Sequence, residues 1–159
     1  MNDAADANAT DTGRWVILDA KNGARRLVLR LRTDRPATAD VASHSTAVMT
    51  RWAYPERAGS AEPPEDEGRR MSNLEGALSA LTAGNGFSFL MCAGTGLGSK
   101  DWVYYTRDAN RFMQRLNELL AGHEPYPIEI EFFEDPSWKI WLDLRHGYER
   151  AGGEPAGLT

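Results

Sequence analysis

The chain has 159 residues, with 23 acidic side chains against 18 lysines and arginines and a formal net charge of −5. That length holds one domain with its own hydrophobic core, and the acidic balance excludes a blanket attraction to nucleic acid or an anionic membrane. No apolar run approaches the roughly 18 residues of a membrane helix, the hydrophilic start is the opposite of a targeting peptide, and a lone Cys92 excludes an internal disulfide, so a cytoplasmic protein is predicted.

Residues 1–12 are small and polar past Met1 and are expected to be disordered. Arg14 to Ala20 then reads as a strand, and Asn22-Gly23 is a strong hairpin signal because both residues tolerate positive φ. Beyond it Leu27, Leu29 and Leu31 alternate with Arg26, Arg30 and Arg32, a period of two that separates leucines from arginines. The hairpin is set at 14–32. A second alternation, from Ser43 to Tyr54, places Val48, Thr50, Trp52 and Tyr54 on one face and ends at Pro55. After a charged loop with Pro63-Pro64, Met71, Leu74, Leu78 and Leu81 recur at helical spacing. Two starts are open: Pro64 in the first turn, or a capping box of Ser72 and Glu75. Gly84 or Gly86 ends this helix.

Phe87 to Ala93 alternates as a strand, Gly94-Thr95-Gly96-Leu97-Gly98 turns the chain, and Trp102 to Thr106 returns. Thr106 or Asp108 caps a helix whose buried stripe is Phe112, Met113, Leu116, Leu119 and Leu120, stopped by Gly122. Ile128, Ile130 and Phe132 alternate with Glu129 and Glu131, giving a strand with one wet face. Asp135 caps a turn or short helix at Pro136, from which Trp138, Trp141 and Leu142 pack back on the domain. The expectation is one α+β domain over 13–146, with hairpin 14–32 and core 43–142, followed by a flexible tail over 147–159. From Ser43 the order is β-α-β-β-α-β, a ferredoxin-like sandwich with both helices on one sheet face. The other face is open unless the hairpin, the tail or a partner covers it.

Four stretches carry a resemblance: Trp52-Ala53-Tyr54; Met71-Ser72-Asn73-Leu74-Glu75; the segment from Gly94 to Thr106 with Trp102-Val103-Tyr104-Tyr105; and Glu134-Asp135-Pro136-Ser137-Trp138. In these, residues 43–141 resemble a bacterial family known as domain of unknown function 695. The resemblance implies a ferredoxin-like fold related to the regulator of ribonuclease activity B, an inhibitor that binds an RNA-degrading enzyme and has no catalytic site. It supplies no catalytic residues.

The residues themselves offer several chemistries, each with a plainer reading. The glycine run could cradle phosphate, but a strand follows it where a helix is required, so a hairpin turn is favoured. His44, His123 and His146 lack partners at metal-ligand spacing. Cys92 stands mid-strand and reads as a small packed hydrophobe. Glu129, Glu131, Glu134 and Asp135 form an acidic strip, read as a solvated face or as a dock for a basic partner. Arg25, Arg26, Arg30, Arg32 and Arg35 could grip phosphate or acidic protein, or simply make the polar face of a hairpin. Trp52, Tyr54, Trp102, Tyr104 and Tyr105 could stack bases, yet the nearby face is acidic and the glycine-aromatic signature of such domains is missing.

The sequence reading is therefore a non-catalytic interaction or regulatory domain that binds another protein through its open sheet face. It takes no cofactor, no metal and no membrane, and a homodimer is compatible with it. The candidate surface is Trp52, Tyr54, Trp102, Tyr104, Glu129, Glu131, Arg26, Arg30 and Arg32. The alternatives are a small enzyme of unrecognised type with a pocket on the sheet face, and an RNA-binding module.

Overall fold

The computed structural model describes residues 13–22, 25–36, 42–57, 59–82 and 86–150. Among them the period-two stretches form six strands: β1 (Trp15–Asn22), β2 (Arg25–Arg32), β3 (Thr46–Ala53), β4 (Ser88–Gly96), β5 (Ser99–Thr106) and β6 (Ile128–Glu134). The helical periods form three α-helices: α1 (Glu65–Leu78), α2 (Ala109–Leu120) and α3 (Lys139–Arg150). The strands make one sheet of order β1-β2-β4-β5-β3-β6, antiparallel at every pair. From β3 to β6 the elements follow the expected β-α-β-β-α-β order. Helix α1 carries the chain from β3 past β5 to β4, and α2 carries it from β5 past β3 to β6. The first hairpin pairs through β2 with β4, so it extends the sheet. The turn expected at Asn22-Gly23 lies partly outside the described residues, as do residues 1–12, Gly84 and the tail from 151 onward.

Local chemistry accounts for the helix ends. α1 takes the earlier of its two starts: Pro64 stands at its N-cap, and Glu65, Asp66 and Glu67 put negative charge on the positive end of the helix. Ser72 caps nothing; its hydroxyl donates within the helix to the Gly68 carbonyl at 3.1 Å. α2 is capped by Asp108, whose carboxylate accepts from the Arg111 amide at 3.1 Å.

The sheet divides the core in two. On one face Val48, Trp52, Trp102 and Tyr104 meet Met71, Leu74 and Leu78 of α1 and Phe112 and Leu116 of α2. On the other, Ala47, Met91, Cys92, Val103 and Tyr105 lie with Trp138 and Trp141 at α3. A bulge between Leu90 and Cys92 sends Phe89, Met91 and Cys92 all to the α3 side. This corrects the unbroken alternation expected from Phe87 to Ala93.

The second face also corrects the expectation of an open sheet. Asp135 accepts from the Lys139 amide at 2.8 Å and the Ile140 amide at 2.9 Å, capping α3. The Tyr105 hydroxyl donates to the same carboxylate at 2.6 Å and accepts from the Trp141 amide at 3.2 Å. Trp138, with φ of 59°, stacks on Tyr105 at 4.3 Å and donates its indole N–H to the His44 carbonyl at 2.8 Å. The Trp141 indole N–H donates to the Arg32 carbonyl at 2.7 Å. Burying each of these indoles contributes on the order of 2–3 kcal/mol. The helix then continues through Gly147 to Arg150, where a flexible tail was expected, because Leu144 and Tyr148 prolong the apolar stripe against the sheet.

The glycine run is strand over most of its length. β4 continues through Gly96, and the turn is Leu97-Gly98, at φ of 56° and 86°, a two-residue hairpin connection with both residues left-handed. Gly96 has φ of 140°, and a Cβ there would stand 2.2 Å from the Arg26 carbonyl oxygen. The glycine is required for β2 to approach.

Two substitutions test this account in chemical unfolding. Gly96→Ala should destabilise the protein by about 2–3 kcal/mol through strain and collision with β2. Thr50→Val should be neutral or stabilising by up to about 1 kcal/mol, because the buried Thr50 hydroxyl has no hydrogen-bond partner among the described residues.

Candidate functional site

The cover that α3 gives the sheet stops short of one corner. On the α3 side of β3 and β6, Arg51, Ala53, Glu129 and Glu131 are exposed. Antiparallel register sets Arg51 opposite Asp101 on one side and Glu129 on the other, and Glu131 opposite Met49. Arg51 donates two parallel hydrogen bonds to Asp101, at 2.8 Å and 3.0 Å. Asp101, reinforced by Glu131 and Glu129, holds the Arg51 proton more firmly than in a free guanidinium. One arginine thus stands among three carboxylates, and this corner keeps a surplus of negative charge.

β6 is the last strand of the sheet, and among the described residues its outer edge has no strand beside it. Its sequence ends Phe132-Phe133-Glu134, and neighbours in a strand point to opposite faces. The two rings therefore flank the edge from both sides, 39% and 38% exposed. Glu129, Glu131 and Glu134 alternate among apolar residues along the same edge and are all exposed. Charge of this kind blunts pairing with a second copy of the same strand. It favours an added strand that carries basic side chains.

The family of unknown function DUF695 matches residues 13–144, from the first hairpin into α3. The chain belongs to this family. No curated protein matches it. Both the sheet extension and the Asp135 cap therefore fall within the DUF695 domain.

Most of the aromatic surface expected from the sequence is interior in this DUF695 domain. Trp52, Tyr54, Trp102 and Tyr104 are all buried on the helix-covered face. Their polar tips explain why inward placement is tolerated. The Trp52 indole donates to Glu67 at 3.1 Å and the Trp102 indole to Glu75 at 3.2 Å, both glutamates belonging to α1. The Tyr54 hydroxyl donates to the Ala61 carbonyl. A protein partner cannot reach these rings without displacing α1.

The hairpin arginines are largely answered inside the chain. Arg26 makes a two-pronged pair with Asp19 across the hairpin, and Arg25 stands 3.2 Å from Glu56. Arg32, expected on the surface, is buried, with Asp34 at 3.3 Å and Trp141 on its carbonyl. Arg30 is exposed and joins Trp102 and Tyr104 in lining a cleft beside α1. Of the nine expected residues, Glu129 and Glu131 lie together at the acidic corner and these three at the cleft; Trp52 and Tyr54 share the buried cluster of Trp102 and Tyr104, and Arg26 and Arg32 stand apart.

The remaining chemical candidates are structural. His44 is buried and its Nε2–H donates to the Gly86 carbonyl at 2.7 Å. Cys92 lies under α3, and burial pushes its thiol up to about 12, far from a nucleophilic thiolate. Among the described residues no three His, Cys, Asp or Glu side chains gather as a metal site, and no helix is long and apolar enough to cross a membrane. The sequence reading passed over Phe133 and Arg51. The adjacent pair Phe132-Phe133 was a usable signal, since one of two neighbouring rings in a strand must leave the buried face.

Proposed function

We propose that this DUF695 domain is a non-catalytic, cytoplasmic interaction domain that docks a partner protein by strand addition at the outer edge of β6. The partner segment is extended and basic, with side chains that reach Glu129 and Glu131 on one face and close over Phe132 and Phe133. The observation that carries the reading is the outer edge of β6, unpaired among the described residues, flanked by two exposed rings and by carboxylates whose cross-strand cation, Arg51, is already held by Asp101. Backbone pairing supplies affinity in this mode, and the alternating side chains supply specificity. An RNA partner is disfavoured by the same carboxylates, and two of the hairpin arginines that would have offset them, Arg26 and Arg25, are paired with Asp19 and Glu56.

Affinity capture from native lysate with the full chain as bait tests this reading. A specific protein should be retained by the wild type and by Arg26→Gln. Retention should fall about tenfold or more with the double reversal Glu129→Lys, Glu131→Lys, and should weaken as salt rises. Equal retention by the reversed bait would refute docking at β6.

A further inference from the structure

The helical layer ends before the sheet does. β2 extends the sheet past β4, while α1 and α2 cover the core strands. At that step lies a cleft of about 420 Å³ between β2 and the C-terminal part of α1. Leu78, Leu90 and Trp102 give it apolar walls, and Arg30, Glu75 and Tyr104 bring polar groups into it.

These polar groups are unequally satisfied. Glu75 is engaged at both oxygens, by Lys100 Nζ at 3.1 Å and the Trp102 indole at 3.2 Å. Arg30 reaches no closer than 3.9 Å to Glu75 and lies with its guanidinium carbon 5.4 Å from the Trp15 ring centre. With Glu75 neutralised by Lys100, Arg30 is the surplus charge of the cleft. Tyr104 is 2% exposed, yet its hydroxyl has no hydrogen-bond partner among the described residues. Burial, and then the Glu75 carboxylate, push its ionisation well above the ordinary phenol range, so it remains a donor at neutral pH. A hydroxyl that opens on a cavity without a protein partner keeps its donor available to a ligand.

We propose that this cleft binds a small organic carboxylate, held by paired hydrogen bonds from Arg30 and one from the Tyr104 hydroxyl, with its apolar body against Leu78, Leu90 and Trp102. An amine would meet Arg30 and find the Glu75 oxygens taken. An inorganic anion would leave the apolar walls unused. The volume suits a molecule of one ring or a short branched chain. The site uses β2, β4, β5 and α1, and stands whether or not β6 docks a partner.

The test is a titration of the isotope-labelled full chain, followed by NMR, with benzoate and indole-3-acetate. Benzyl alcohol and benzylamine serve as matched bodies without the carboxylate. Both carboxylates should give saturable shifts at the Trp102 indole N–H, the Arg30 side chain and the amides of Ser79 and Thr82. Arg30→Gln should weaken binding about tenfold. Tyr104→Phe should weaken it several-fold while leaving the melting temperature of the empty protein unchanged or raised, because the hydroxyl has no protein bond to lose. The proposal is overturned by equal binding of benzyl alcohol, by shifts confined to other surfaces, by an unaffected Arg30→Gln, or by a marked loss of stability in Tyr104→Phe.

Discussion

One carboxylate decides which surfaces this protein has. Asp135 takes hydrogen bonds from two amides at the start of α3 and from the Tyr105 hydroxyl of the sheet. The same group therefore caps the helix and ties it to the strand beneath. Tyr105 passes the connection on by accepting from the Trp141 amide, and Trp138 and Trp141 each close a hydrogen bond to a distant carbonyl. A helix of 12 residues is marginal in isolation. Here the cap and two buried indoles make it the lid of the second face.

Where that lid stops, the domain meets its surroundings. The uncovered corner is acidic because Arg51 is committed to Asp101 and leaves Glu129 and Glu131 in excess. The opposite end of the sheet is widened by the hairpin, which depends on Gly96 for backbone contact. Widening the sheet beyond its helices also creates the step in which Arg30 and Tyr104 share a cleft. The two surfaces arise from one cause: the helical layers are shorter than the sheet they cover.

Much of this was legible in the residues. Alternation and helical spacing placed all six strands and the first two helices, and Asp108 and Asp135 were readable as caps. Periodicity could not reveal the bulge at Met91, which shifts the phase of β4 by one residue. It also underrated α3, where Gly147 argues locally against a helix that tertiary packing sustains. The aromatic set misled for a physical reason: a tryptophan with a polar tip looks like a surface residue until the glutamate that satisfies it is found on another element. Glu67 and Glu75 do this for Trp52 and Trp102, and nothing in the sequence announces that pairing. Cross-strand partners such as Arg51 and Asp101 are likewise settled by register.

The most direct measurement of the central claim is the reactivity of Cys92, the chain's single thiol, toward a disulfide reagent under native conditions. It lies beneath α3, so it reports whether the lid is shut. If Asp135 holds the lid, the wild type reacts slowly and Asp135→Ala reacts about tenfold faster or more. The helix-covered face should stay folded by circular dichroism. If Asp135→Ala protects Cys92 as well as the wild type does, α3 is held by something else and the account fails.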